Sequence, residues 1–423
     1  MIMTAPAAPI VPIVVEQHLD ESAVLCNVRA TLVNGPAVKL HHLRRLDNRI
    51  AAHLDGLAIA GDDAWRFCEM RLENAGNSEV FVATALALET RRQDGLDRLF
   101  AIAQATPDFA DGLTSAFGWV ERDRLKGVVA RLLASSVSFE QVAALTACAA
   151  HGVDPGMASG PWLEANDAAV RARALRAAGE LGRHELVTAV AAMATGEDPD
   201  CSASASSAAV LLGNQGVALE ALSQIARATG PYRARALRLA FQAMPLNVAH
   251  GQLQLLASDP KHLRWLIEGS GIAGDPAYVP WLLGHMGTDQ TARLAGEAFS
   301  LVTGTDLAWL DLERKPPEDF ESGPNDDPDD PNVDMDPDEG LPWPDPDRVK
   351  DWWAKNSGRF TPGQRYFMGA PVTREHCIDV LKNGYQRQRI LAAHYLCLLE
   401  PGTPLFNTSA PAWRQQKLLA QMG

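Results

Sequence analysis

The stretch AAVRARALRAAGELGRHELVTAV, residues 168–190, carries the reading of the fold. Val170, Ala174, Ala177, Ala178 and Leu181 recur at i, i+4, i+7, i+8 and i+11, which sets one apolar face on a helix. Gly182 then offers the left-handed conformation that ends a helix, and a second short helix carries Leu186, Val190 and Met193. The product is an αα-hairpin joined by a tight turn. RARAL at 171–175 returns at 233–237, 62 residues on, and the break Leu181-Gly182 returns halfway between, at Leu212-Gly213. Steps of 31, 30 and 30 carry the break on through Met244, Gly274 and Gly304, and Gly152 stands 30 residues before Gly182. Weaker breaks fall near Val120, Thr90 and Gly61, and the unit near 275–286 repeats the phase with Tyr278, Trp281, Leu282 and Met286. A sustained period near 30 is the signature of a solenoid, in which each unit contacts mainly its neighbours.

Composition agrees with closely packed helices. The 423 residues are 47% hydrophobic but 6% aromatic, with few β-branched runs. Six scattered cysteines, Cys26, Cys68, Cys148, Cys201, Cys377 and Cys397, form no C-x-x-C pair and read as buried thiols of a reducing compartment. The N-terminal apolar stretch lacks a basic start and is interrupted by Pro6, Pro9 and Pro12, unlike a secretory signal. No window approaches a membrane span, so the expected location is the cytoplasm, with no membrane partner.

The net charge of −14 is concentrated in one place. Residues 316–347 hold thirteen acidic side chains, no Lys or Arg, and nine of the 27 prolines, so the remainder of the chain carries −1. The segment reads as an acidic, disordered linker, because it has too little apolar surface to offset the entropy of ordering. A nearly neutral body also argues against nucleic acid as a partner, which needs a clustered basic face. The organisation expected is an N-terminal segment 1–34, an array over 35–315, the linker 316–347, and a C-terminal helical module or cap over 348–423. Core positions of that last part are Ile378, Leu381, Ile390, Leu391, Tyr395 and Leu398.

The hairpin at 168–190 resembles the short HEAT-like repeat of bilin lyases and many bacterial scaffold proteins, and the resemblance covers roughly residues 35–310. It implies an all-α fold, an α-solenoid of short HEAT-like helical hairpin repeats of about 30 residues. DNRIAAHLDGLAIAGDDAW at 47–65, LPWPDPDRVKDWW at 341–353 and GQRYFMGAP at 363–371 together resemble an uncharacterised HEAT-like bacterial family. Its members are often encoded beside type VI secretion genes in Gram-negative bacteria, and the family carries no assigned activity.

Several motifs invite chemistry. Gly269-Ser270-Gly271-Ile272-Ala273-Gly274 spells G-x-G-x-x-G, but KHLRWLIE before it is in helical phase where a dinucleotide fingerprint needs a strand. Asp334, Asp336 and Asp338 resemble the opening of a calcium loop, yet Gly340 comes one place late and position twelve is Asp345 rather than Glu. A solvated linker is the competing reading. His41, His42 and His53 lie on a helix with the stripe Leu40, Leu43, Ile50, Leu54 and Leu57; His42 and His53 share a face but stand about three turns apart, roughly 16 Å, too far to ligate one metal. Neither a metal nor a cofactor site is expected.

The candidates that remain are for protein contact. Arg171, Arg173 and Arg176, with their repeats Arg233, Arg235 and Arg238, offer a basic ladder for an acidic partner or for the chain's own insert, unless each is paired on its helix face. Trp343, Trp352, Trp353, Tyr366 and Phe367 concentrate aromatic surface at the end of the linker, as interface anchors or as core. With no G-x-S-x-G elbow, P-loop or H-E-x-x-H, the expectation is a non-enzymatic scaffold, adaptor or chaperone, and the family resemblance implies a helper of type VI secretion. The alternatives are a HEAT-like lyase with a concave-face site and, behind it, a nucleic-acid-binding protein.

Overall fold

The computed structural model describes residues 10–158, 160–318, 320, 322–323 and 335–423. Helices make up 68% of it and strands 2%. Among the described residues there are twenty-one α-helices: α1 (Pro12–Leu32), α2 (Leu40–Ala60), α3 (Asp62–Arg71), α4 (Asn77–Glu89), α5 (Gln93–Ala105), α6 (Ala110–Trp119), α7 (Val128–Leu133), α8 (Ser138–Ala150), α9 (Ala168–Glu180), α10 (Val187–Ala192), α11 (Pro199–Leu211), α12 (Val217–Arg227), α13 (Arg233–Ala243), α14 (Leu246–Ala257), α15 (Leu263–Ala273), α16 (Val279–His285), α17 (Asp289–Thr303), α18 (Pro346–Asn356), α19 (Arg374–Asn383), α20 (Gln386–Leu399) and α21 (Ala412–Gln421). The strands β1 (Tyr366–Phe367) and β2 (Ala370–Pro371) form a small antiparallel hairpin. No described helix is long and apolar enough to cross a membrane.

Each break in the thirty-residue pattern is a helix end. Gly61, Thr90, Val120, Gly152, Gly182, Gly213, Met244, Gly274 and Gly304 follow α2, α4, α6, α8, α9, α11, α13, α15 and α17. The GSGIAG run is the last turn of α15, and Gly274 is its left-handed cap at φ 74°, which disposes of a phosphate-binding reading.

The chain forms two compact units. Residues Met1–Asn34, Leu40–Leu186 and Asn407–Gly423 make the first, and Gly35–Lys39 with Val187–Phe406 make the second. The division falls inside the hairpin at 168–193. The stretch expected as one C-terminal module is likewise shared, since α18–α20 lie in the second unit and α21 in the first.

In the first unit α4 is buried on every side from Val80 to Leu88, and α1, α2, α3, α5 and α6 pack around it. The stripe Leu40, Leu43, Ile50, Leu54 and Leu57 on α2 is buried as its period requires. One polar residue interrupts that face. Asp47, fully buried, accepts from Arg29 Nε at 2.6 Å and from the Ala412 N–H at 2.7 Å, so its carboxylate sits at the N-terminus of α21. Trp413 packs edge-on against Trp119 at 5.1 Å, and Arg414 donates to the Gly118 carbonyl at 2.7 Å and to those of Trp119 and Val120 at the end of α6.

In the second unit the segment 363–371 crosses the C-terminal ends of three helices. Arg365 donates to the carbonyls of Gln242, in the last turn of α13, and of Met244 just after it. The Tyr366 N–H reaches Gly274 O at 2.8 Å after α15, and the Met368 and Gly369 N–H groups reach Leu301 O at 2.6 Å and Val302 O at 3.1 Å in α17. These bonds satisfy carbonyls that a helix leaves without partners. At Gly274 and Gly304 the backbone of this strap comes within touching distance of the helix cap, whereas at Met244 the Arg365 side chain spans the gap.

Buried His394 of α20 bonds through Nδ1 to Gln242 Oε1 of α13 at 2.9 Å. Burial, and then Arg235 and Arg238, push its pKa down to about 3, so it folds neutral. Because the folded value lies below the ordinary 6.5, the unfolded chain takes up the proton first. Stability is therefore full above pH 6.5 and falls as the pH drops toward 3, by at most ~1.4 kcal/mol per pH unit from this group. A His394→Gln variant should show a shallower loss of melting temperature between pH 7 and pH 4 than the parent; parallel curves would contradict this assignment.

Candidate interaction sites

The basic ladder does not form a free face. In the first unit Arg171 donates to the Ala165 carbonyl at 2.6 Å, and Arg173 to Thr146 Oγ1 at 2.8 Å and Glu180 at 2.9 Å, while Arg176 pairs with the same Glu180 at 2.7 Å. In the second unit Arg233 is buried with its guanidinium 4.7 Å from the Trp265 ring centre, Arg235 lies near His394, and Arg238 pairs with Glu268 at 2.9 Å. Only the Glu180 pairs of Arg173 and Arg176 lie on their own helix, as the competing reading has it; Thr146, Trp265 and Glu268 engage Arg173, Arg233 and Arg238 from neighbouring helices.

Trp343, Tyr366 and Phe367 are core, and Trp352 and Trp353 are half-buried against it. Trp343 is 8% exposed, with Arg293 4.8 Å from its ring centre, Arg314 at 5.4 Å and Phe320 edge-on at 4.8 Å. Trp352 and Trp353 pack edge-on against Phe299 at 5.7 and 6.3 Å, and buried Tyr366 meets Phe360 at 5.2 Å. The exposed tryptophan is Trp309, at 84%, followed by Leu310 at 45%. Sequence reasoning missed both because exposure of an apolar residue in a loop leaves no periodic trace.

The linker reading fails for the described part of the acidic segment. Arg264 of α15 grips Asp338 through both guanidinium nitrogens at 2.7 Å, and Arg293 of α17 holds Asp336 at 2.7 Å and the Asp338 carbonyl at 3.1 Å. Arg387 of α20 holds Glu297 at 2.7 Å and donates to the Pro337 carbonyl. Burial pushes the Asp336 carboxyl up, but hydrogen bonds from Arg293, Ser322 and the Asp338 N–H outweigh it and keep the group below its usual range. The hydrogen bond that Arg264 donates to Asp338 outweighs burial and raises the Arg264 pKa, whereas burial raises that of Glu297. Guanidinium forks compensate the desolvation of these carboxylates, which an apolar count of the segment omits. Asp336 and Asp338 thus face arginine guanidinium groups, and Asp334 lies outside the described residues. Among the described residues no group of three or more His, Cys, Asp or Glu side chains is arranged to hold a metal. His53 bonds to His18, Nδ1 to Nδ1 at 3.0 Å.

Beside this segment an open cleft of about 940 Å³ lies in the second unit. Ser300 and Gly304 of α17 and its end line it, with 305–308, Asp311 and 313–316 on one side, Leu341–Trp343 on another, and His376, Asp379 and Tyr385 from α19 and the start of α20 opposite. Tyr385 donates to Asp306 Oδ2 at 3.1 Å, and Lys39 Nζ sits 4.6 Å from its ring centre. Burial, then Asp306, push the phenol up to about 12, so near neutral pH it is a donor and not a base. His376 is held to the Phe367 carbonyl at 2.7 Å. All six cysteines are free and buried, and burial raises Cys26, Cys68, Cys377 and Cys397 to about 12, which leaves them poor nucleophiles.

In comparisons with known proteins the chain matches no family model, no curated protein and no solved structure.

Proposed function

We propose that the chain is a non-enzymatic protein-binding scaffold or adaptor built as an array of HEAT-like helical hairpins. The observation that carries the reading is the open cleft of the second unit, lined by 305–308 and Asp311 of the loop that also bears exposed Trp309 and Leu310. A cleft of mixed charge beside an exposed aromatic suits a peptide segment, for which the aromatic is the anchor. The recurrence of helix ends every thirty residues supports the array, since stacked hairpins present extended surfaces. The resemblance of 47–65, 341–353 and 363–371 to a family encoded beside type VI secretion genes directs the search for a partner to effectors and spike components.

The test is affinity capture of the tagged chain from its native host, alongside a Trp309→Ala variant. So exposed a side chain should leave the melting temperature unchanged while its loss weakens a true anchor by ~2 kcal/mol, about thirtyfold. Enrichment of a secretion component with the parent and not with the variant is expected. Equal recovery by both moves the contact away from the cleft, and recovery by neither counts against the scaffold.

A further inference from the structure

We propose that the groove holding Asp336-Pro337-Asp338 is a binding site for an acidic peptide of a partner protein, and that the chain's own segment is a built-in competitor for it. The proposal rests on the scaffold reading and specifies the chemistry of one partner.

Three arginines from three helices, α15, α17 and α20, converge on three consecutive residues. Arg264 forks onto one carboxylate, Arg293 takes a second carboxylate and a backbone carbonyl, and Arg387 takes the carbonyl between. Two carboxylates at i and i+2 with their intervening carbonyls are what an acidic peptide offers, and planar guanidinium groups are suited to reading them. The Arg264 side chain is 38% exposed, so the fork is reachable from solvent without separating the helices.

The middle position is under-filled. Pro337 forms part of the wall of a cavity of about 200 Å³, lined by the apolar Trp265, Ile272, Leu294, Ile390 and Leu391 and by five charged side chains, Arg264 and Arg387 among them. A leucine in its place would add apolar contact with Trp265, Ile272, Leu294, Ile390 and Leu391 and so bind more tightly. The native segment is therefore the weaker ligand by contact and holds the groove by tethering, which supplies an effective concentration on the order of millimolar.

The test is anisotropy of a fluorescein-labelled peptide, NVDMDPDEGL, residues 332–341, against the full-length chain and its Asp336→Asn/Asp338→Asn variant. Two further peptides carry Leu for the proline or Asn for both aspartates of the DPD core. The variant should bind the native peptide about tenfold more tightly than the parent does. It should bind the Leu peptide more tightly still and the Asn peptide not at all, and adding Arg293→Glu should abolish binding. If the double variant melts before assay, Asp336→Asn alone carries the comparison, since the Arg264–Asp338 fork remains. A folded variant that binds no better than the parent overturns the proposal and makes the segment a structural clasp. Because only purified chain and peptide are used, that failure is separable from loss of Trp309-dependent capture.

Discussion

Gly304→Ala is expected to destabilise the protein by about 3 kcal/mol, and Gly274→Ala by a similar amount. Both residues sit in the left-handed region, at φ 71° and 74°, where an L side chain costs ~1–2 kcal/mol. A Cβ at Gly304 would also run into the Met368 carbonyl, and one at Gly274 into that of Tyr366. Backbone cannot swing aside as a side chain can, and here it is pinned by its bonds to Gly274, Leu301 and Val302, so relief requires lifting the strap. Overpacking of that kind adds ~1–3 kcal/mol. Gly251 is the control. It lies within α14, with no positive φ and open space where a Cβ would stand, so Gly251→Ala should stabilise by ~0.5–1 kcal/mol. Urea unfolding of the three variants measures the contrast; equal shifts at Gly251 and Gly304 would remove the strap from the account.

Asp47→Ala should cost about 3–5 kcal/mol, the range for removing one partner of a buried ion pair. The loss leaves Arg29, whose side chain is 14% exposed, with the Ser409 and Ala410 carbonyls but no carboxylate to offset its charge, and leaves the first N–H of α21 without its acceptor. Asp47→Asn keeps an acceptor for one donor but gives up the charge, and should fall between. A second readout follows from the position of the carboxylate. Helix α21 is held by Asp47, by Arg414 on the end of α6 and by Trp413 on Trp119, so losing the first should speed proteolytic removal of 407–423 well before global unfolding. Unchanged cleavage would mean that Trp413 and Arg414 suffice.

Much of the local structure was legible from spacing. The stripes at Val170 to Leu181 and Leu40 to Leu57 encode helix faces because side chains at i, i+3 and i+4 share one side of a helix, and the breaks at thirty-residue steps mark where those helices stop. The candidate contacts were less legible. Arg171 and Arg233 recur in one motif, yet the first caps nearby carbonyls and the second stacks on Trp265, a difference that repetition conceals.

The sequence by itself determined the α class, the helix ends and the burial of the cysteines, all of which follow from neighbours within a few turns. Only the tertiary structure decided that the acidic segment docks. Arg264 and Asp338 stand 74 residues apart, and the pairing depends on three helices holding their guanidinium groups at one place. The same holds for Asp47, 365 residues from the N–H it receives, and for the glycines that face the strap. Composition counts the charge and apolar surface a segment carries, whereas its fate depends on whether the fold supplies partners strong enough to offset desolvation and chain entropy.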